Sequence, residues 1–318
     1  MNRPFSLLAA ASSALLTAAV VPTLAQLYQT VVPADRPGGA QGVALAPDLS
    51  GIWAHYSFPG FEPPLSGPRS VMNRLHAANP NETRTVGDYT NPILKPHAAE
   101  AVKNHGEIEL RGVLAPNPRN QCWPRGGPFA FSNVGIQMIQ QPDRITILSA
   151  DDHEVRRVRL NELHPARVTP TWYGDSVGHY EGDTLVIDTV GVRVGPFSMV
   201  DWFGTPHTEA LHVVERYRLV EYGAAKSAEA RGERENVPYP ETDQGLARDL
   251  DYRGKSLQLH FTVEDEGAFT TPWSATVSYW RPLSIFGQWP EFACAENAVG
   301  NDRGIDRAAV PTADRPDF

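Results

Sequence analysis

Residues 174–190 read GDSVGHYEGDTLVIDTV. Thr184–Val190 is the clearest strand in the chain, a short run of β-branched and apolar residues. The Gly182-Asp183 turn signal joins it to the extended residues before it. Side chains alternate across a strand, so Leu185, Ile187 and Thr189 share one face and Val186, Asp188 and Val190 the other. An aspartate in so apolar a strand must meet water or find a partner. An apolar pocket around Asp188 would raise its pKa and make it an acid or base.

The same texture recurs on both sides. Upstream lie Ile136–Gln141, Ile145–Ser149 and Val155–Leu160, separated by Pro142-Asp143-Arg144 and Asp151-Asp152. Downstream lie Leu211–Leu219, Ser256–Val263 and Ala275–Trp280. Asp48–Tyr56 reads as a first strand, and Pro96 opens the best helix, HAAEAVKNHGEIELR. Strands at this spacing with one short helix and long loops point to an all-β fold, an antiparallel meander closed as a barrel or stacked as a sandwich. Gly51-Ile-Trp53 is similar to the Gly-x-Trp strand of lipocalins.

Residues 1–25 have the pattern of a secretory signal peptide, one Arg followed by an apolar run and small residues before Ala25. Residues 26–47 read as an extended arm, 48–300 as a single β-rich domain and 301–318 as a polar tail. The mixed-charge stretch 223–254 reads as a surface excursion, with a short helix near Leu246–Leu250. Export to the periplasm or the exterior makes one Cys122–Cys294 disulfide the default for a chain with 2 cysteines. In the chain-entropy picture such a link stabilises by roughly 4–5 kcal/mol. A formal charge of −9 without a basic run disfavours nucleic acid. No membrane span is expected after signal cleavage.

His207, Glu209 and His212 form the densest ionisable cluster. A turn before Ala210 would let all three converge. Imidazole with carboxylate suits either Zn, Fe, Mn or Ni, or metal-free acid–base chemistry. No cofactor signature stands out; a divalent metal, if present, would sit on these three residues. Asp175 and Asp188 are the carboxylates that could partner them, whereas Asp183 sits in a turn. Gly174-Asp-Ser176-Val-Gly178 matches a nucleophile elbow, with Asp201 and His207 or His212 completing a triad on paper. The helix that an elbow requires does not follow. Among 7 tryptophans, Trp172 with Tyr173, Trp202 and Trp273 lie near these residues and suit sugar rings or aromatic ligands.

DLSGIW (48–53), YTNPILKP (89–96), GDSVGHYEGDTLVIDTVG (174–191), GTPHTEALHVVERYR (204–218) and TPW (271–273) resemble a family of exported bacterial β-rich proteins. The resemblance covers most of the chain after residue 25 and implies location and fold, not a shared activity. The leading expectation is an exported hydrolase or lyase acting on a small organic or sugar-like substrate through His207, Glu209, His212 and Asp175 or Asp188. The alternatives are a lipocalin-like small-molecule binder and an extracytoplasmic interaction module.

Overall fold

The computed structural model describes residues 46–55, 60–76, 79, 82, 84–132, 135–150, 154–235, 249 and 251–282, all within one compact unit. Nine strands form one sheet in which each pairs with the next along the chain. They are β1 (Gly51–Ala54), β2 (Gly135–Gln140), β3 (Arg144–Ser149), β4 (Val155–Leu160) and β5 (Asp175–Glu181). β6 (Thr184–Val190), β7 (His212–Val220), β8 (Ser256–Glu264) and β9 (Trp273–Tyr279) complete it. Just past β9, Trp280 exchanges both backbone hydrogen bonds with Ala54 of β1, each at 2.7 Å. The sheet thereby curls into a nearly closed barrel, which leaves little edge open to other chains. The all-β expectation holds, and of barrel and sandwich the barrel is the form observed.

The meander is antiparallel except at one place. β4 and β5 run parallel, with Val158 opposite Ser176 and Leu160 opposite Gly178. Parallel neighbours cannot be joined by a hairpin, so residues 161–174 must cross over. The crossover starts at Asn161, whose φ is +58°, and ends at Gly174, whose φ is +71°. A Cβ at Gly174 would stand 2.7 Å from the Val190 carbonyl oxygen. This single irregularity carries His164, Trp172 and Tyr173 to their positions.

Alternation along the strands divides inside from outside as expected for β6. Leu185 and Ile187 are fully buried, as are Leu257, Leu259, Phe261 and Val263 of β8. Phe261 lies at the centre of an aromatic cluster, with Phe61, Phe131 and Trp273 at ring-centroid distances of 4.9, 5.0 and 5.9 Å. Truncating it to alanine would cost about 3–5 kcal/mol, as for other buried aromatics.

Helix α1 (Pro96–Leu110) begins with its proline in the first turn and buries Ala98, Val102, His105, Gly106 and Glu109. Helix α2 (Tyr222–Glu233) takes up the start of the stretch 223–254 that the sequence reads as a surface excursion. Its Ala225, Ala228, Glu229 and Gly232 are buried, a helical spacing of three small residues and one glutamate that a search for large apolar side chains overlooks. α2 packs against β9 and β8. The short helix expected near Leu246–Leu250, the signal peptide, the arm, the polar tail and Cys294 lie outside the described residues. No helix among the described residues is long and apolar enough to cross a membrane.

Candidate functional site

Register brings polar side chains from four successive strands to the inner face of the barrel. Ser176 stands opposite Val158 and Thr189, and Arg156 is the next inward residue of β4. Thr189 stands opposite Val213, and Glu215 is the next inward residue of β7. The Arg156 guanidinium grips Glu215 end-on, Nη1 donating to Oε2 at 2.8 Å and Nη2 to Oε1 at 2.5 Å. Its Nε donates to Ser176 Oγ at 3.1 Å and its Nη2 also to Thr189 Oγ1 at 2.6 Å. Tyr217 donates its hydroxyl to Glu215 Oε2 at 3.0 Å. Burial pulls the Arg156 pKa down, but the adjacent Glu215 carboxylate more than offsets this, leaving it above its ordinary value. Burial, reinforced by Glu215, pushes the Tyr217 and Tyr279 phenols up. Both are therefore neutral hydroxyls at any physiological pH.

A cavity of about 40 Å³ adjoins this network, lined by Arg156, Tyr217, Tyr279, Phe131, Ile136 and Ile147, with Tyr173 and the Arg125–Glu154 pair also in its wall. At about 10–15 Å³ per water-sized group, it holds roughly three such groups. An arginine has five N–H donors. The four contacts above use Nε–H, both hydrogens of Nη2 and one of Nη1. One Nη1–H therefore has no partner among the described residues, on a side chain that lines the cavity.

The outer face of the same strands carries a different array. His164 on the crossover meets Asp175 Oδ1 through Nδ1 at 2.6 Å and Asp188 Oδ1 through Nε2 at 3.0 Å. His212 meets Asp188 Oδ2 through Nε2 at 3.1 Å and Glu264 Oε2 through Nδ1 at 3.4 Å. Arg159 adds a two-pronged grip on Asp175 at 2.8 and 3.1 Å. The Arg159 bonds, then that of His164, hold the Asp175 carboxyl below its ordinary range. The His212 bond, then that of His164, does the same for Asp188. This reverses the rise expected for Asp188, because its two imidazole partners outweigh its partial burial. The His212 pKa is raised, chiefly by its bond to Asp188. A carboxylate only accepts, so an imidazole that donates to carboxylates on both sides has no lone pair left to act as a base.

The remaining sequence candidates are dispersed. His207 lines a second, smaller cavity together with Trp172, while Glu209 is exposed on the turn before β7. His207 and His212 have different partners. Among the described residues no three His, Cys, Asp or Glu side chains are grouped so as to hold a metal ion. Ser176 sits within β5, buried and bonded by Arg156 and Thr189, so the elbow geometry is absent. Asp201 caps its own turn, accepting from Phe203 N at 2.9 Å and Thr205 N at 3.3 Å. Trp202 stacks on Phe129 and donates to Ser132 Oγ at 2.8 Å. Trp273 is a core residue, 1% exposed.

Sequence reasoning missed His164, Arg156 and Glu215. The last two could have been found by applying the alternation rule to β4 and β7, where Arg156 shares a face with Val158 and Leu160, and Glu215 with Val213 and Tyr217. His164 offered no such signal, since only the parallel pairing carries it to Asp188. No protein-family model, curated protein or solved structure matches this chain.

Proposed function

We propose that the barrel binds a small uncharged organic molecule, with a carbonyl or other hydrogen-bond acceptor placed on Arg156 and a compact apolar body against Phe131, Ile136 and Ile147. The unused Arg156 Nη1–H beside the cavity carries this reading, because a buried donor left unmet costs free energy that a bound acceptor recovers. Arg125 and Arg156 each face a glutamate, so a charged ligand would lack a compensating charge there. Substituting Ala130, which lines the cavity, by leucine fills it without touching the ion pair. Native mass spectrometry of the purified protein is expected to show a retained small molecule that is missing from Ala130→Leu. No retained or added ligand in the folded wild type would end this reading.

A catalytic reading has one observation in its favour. Asp188 and His212 are in contact and about a third exposed, 39% and 32%, within reach of a substrate for hydrolase or lyase chemistry. It requires His212 first to give up one of its two ring protons, and with it the bond to Glu264 or Asp188, before it can take a proton from a substrate, and Asp188→Asn would abolish turnover without unfolding the barrel. The proposal also includes membership in the exported bacterial family, cleavage after Ala25, delivery to the periplasm or exterior, and a Cys122–Cys294 disulfide. Intact mass of the exported protein with and without reductant tests the cleavage and the disulfide together.

A further inference from the structure

The sheet closes on itself along one seam, and helix α2 lies over it. Besides the Trp280–Ala54 pair, Glu62 exchanges backbone hydrogen bonds with Thr276 of β9 at 3.1 and 2.9 Å. α2 meets the seam at both places. Its Tyr222 ring packs edge to face on Trp280 at a centroid distance of 5.5 Å, and Lys226 Nζ lies 5.6 Å from the same Trp280 ring. Nearer its other end, a Cβ on Gly232 would stand 3.2 Å from Glu62 Cγ, so the helix backbone and the Glu62 side chain are in contact there.

Two carboxyls are shut into this contact. Glu62 and Glu229 are each 1% exposed, and Glu229 precedes Gly232 by one turn on the same helical face. Glu62 accepts from Ser278 N at 3.0 Å and from Ser278 Oγ at 2.9 Å, and Gln258 Nε2 meets the same hydroxyl at 3.3 Å. Glu229 is paired with Lys226. Arg231 donates through Nε to the carbonyl of Pro63, the neighbour of Glu62, at 3.2 Å. The other titratable groups at the contact are two imidazoles and a phenol. His55 Nδ1 donates to the Ser278 carbonyl at 3.0 Å and His76 Nε2 to the Glu233 carbonyl at 3.1 Å, while Tyr279 lies on the barrel side of Ser278.

Burial pushes the Glu62 carboxyl up to about 8; Glu229 adds to the rise, and the Ser278 bonds and Arg231 oppose it. An ionised Glu62 would be a second anion beside Glu229 in a contact closed to water, whereas lifting the helix hydrates it. We infer that α2 is a proton-controlled latch over the barrel seam, docked while Glu62 holds its proton and released as that proton passes to solvent. Once released, Glu62 ionises in the ordinary carboxylate range of about 4. Docking is therefore strongest below that range. It weakens by about tenfold per pH unit as pH climbs toward 8, where the loss levels off.

Hydrogen exchange of the full chain, read by NMR and corrected for intrinsic rates, tests the latch. Between pH 6 and 8, protection of the buried α2 amides from Ala225 to Gly232 is expected to fall by about tenfold per pH unit. At pH 8 it should be lower than that of Leu257–Val263 in β8. In Glu62→Gln the fall should disappear. Protection of α2 that stays constant over this range, or that equals that of β8 at every pH, would overturn the inference, because the helix would then leave only with the whole barrel. So would an unchanged fall in Glu62→Gln, or a Glu62 carboxyl that carbon NMR shows to be ionised at pH 6. The wild-type profile and carboxyl signal decide the matter even if the variant fails to fold.

Discussion

Strands β4 to β7 carry charged groups on both faces, and the two faces behave in opposite ways. Inside, Arg156 and Glu215 are 14% and 0% exposed and locked by bonds to Ser176, Thr189 and Tyr217. Outside, Asp188 and His212 are more than twice as exposed as Arg156 and share their bonds with His164 and Glu264. Removing one member of a buried pair strands the other without water, whereas an exposed pair is replaced by solvent at little cost. The inner network therefore shapes a site. The outer array fastens the crossover to the barrel and responds to pH and salt.

The largest expected effect breaks the inner network. Glu215→Ala or Arg156→Ala should cost about 3–5 kcal/mol in urea unfolding. Replacing both by apolar residues of similar volume should recover most of that loss. A single-substitution cost below about 1 kcal/mol would place the inner pair with exposed ones.

Next comes a pH effect from buried carboxyls at the barrel's periphery. Burial pushes Glu62 up to about 8 and Asp201 up to about 7. Both folded values lie above the unfolded carboxylate range of about 4, so their contribution is complete below that range. It is lost as pH rises through 7 and 8. His212, raised by Asp188, adds loss on the same alkaline side. Asp175 and Asp188 have the opposite sign, because their lowered values give stability above the ordinary carboxylate range that disappears as pH falls through the folded values. Unfolding free energy followed from pH 3 to 9 should therefore decline on both sides. Glu62→Gln should flatten the alkaline limb and Asp188→Asn the acid limb.

Smaller still is the direct cost of the outer array. Asp188→Asn at neutral pH should lose about 0.2–1 kcal/mol, and most of that difference should vanish at about 1 M salt, where the screening length is roughly 3 Å. The smallest effect belongs to Glu209→Ala, an exposed change expected to stay within about 0.5 kcal/mol. A larger loss there would mean that Glu209 has a structural role.

Much of the strand order was legible in the sequence because alternation and turn residues act locally. Val155–Leu160 and Thr184–Val190 match their expected bounds, and Leu185, Ile187 and Thr189, which alternation puts on one face, are all buried. Helix α2 escaped because small residues form its buried face. The candidate site was harder to see, since it depends on which strands become neighbours. The parallel step between β4 and β5 is a non-local choice, and it brings His164 to Asp188 and Arg156 to Ser176. His207, Glu209 and His212 are close in sequence, yet the turn between them sends His207 to a cavity and His212 to the outer face.

The most direct test of the binding account is an NMR titration of the folded protein with acetone, a compact uncharged acceptor, observing the Arg156 guanidinium and the methyl groups of Ile136 and Ile147. The account expects these signals to move together and saturably, and to stop responding in Ala130→Leu. No saturable response in the wild type, or an unchanged response in Ala130→Leu, would contradict it.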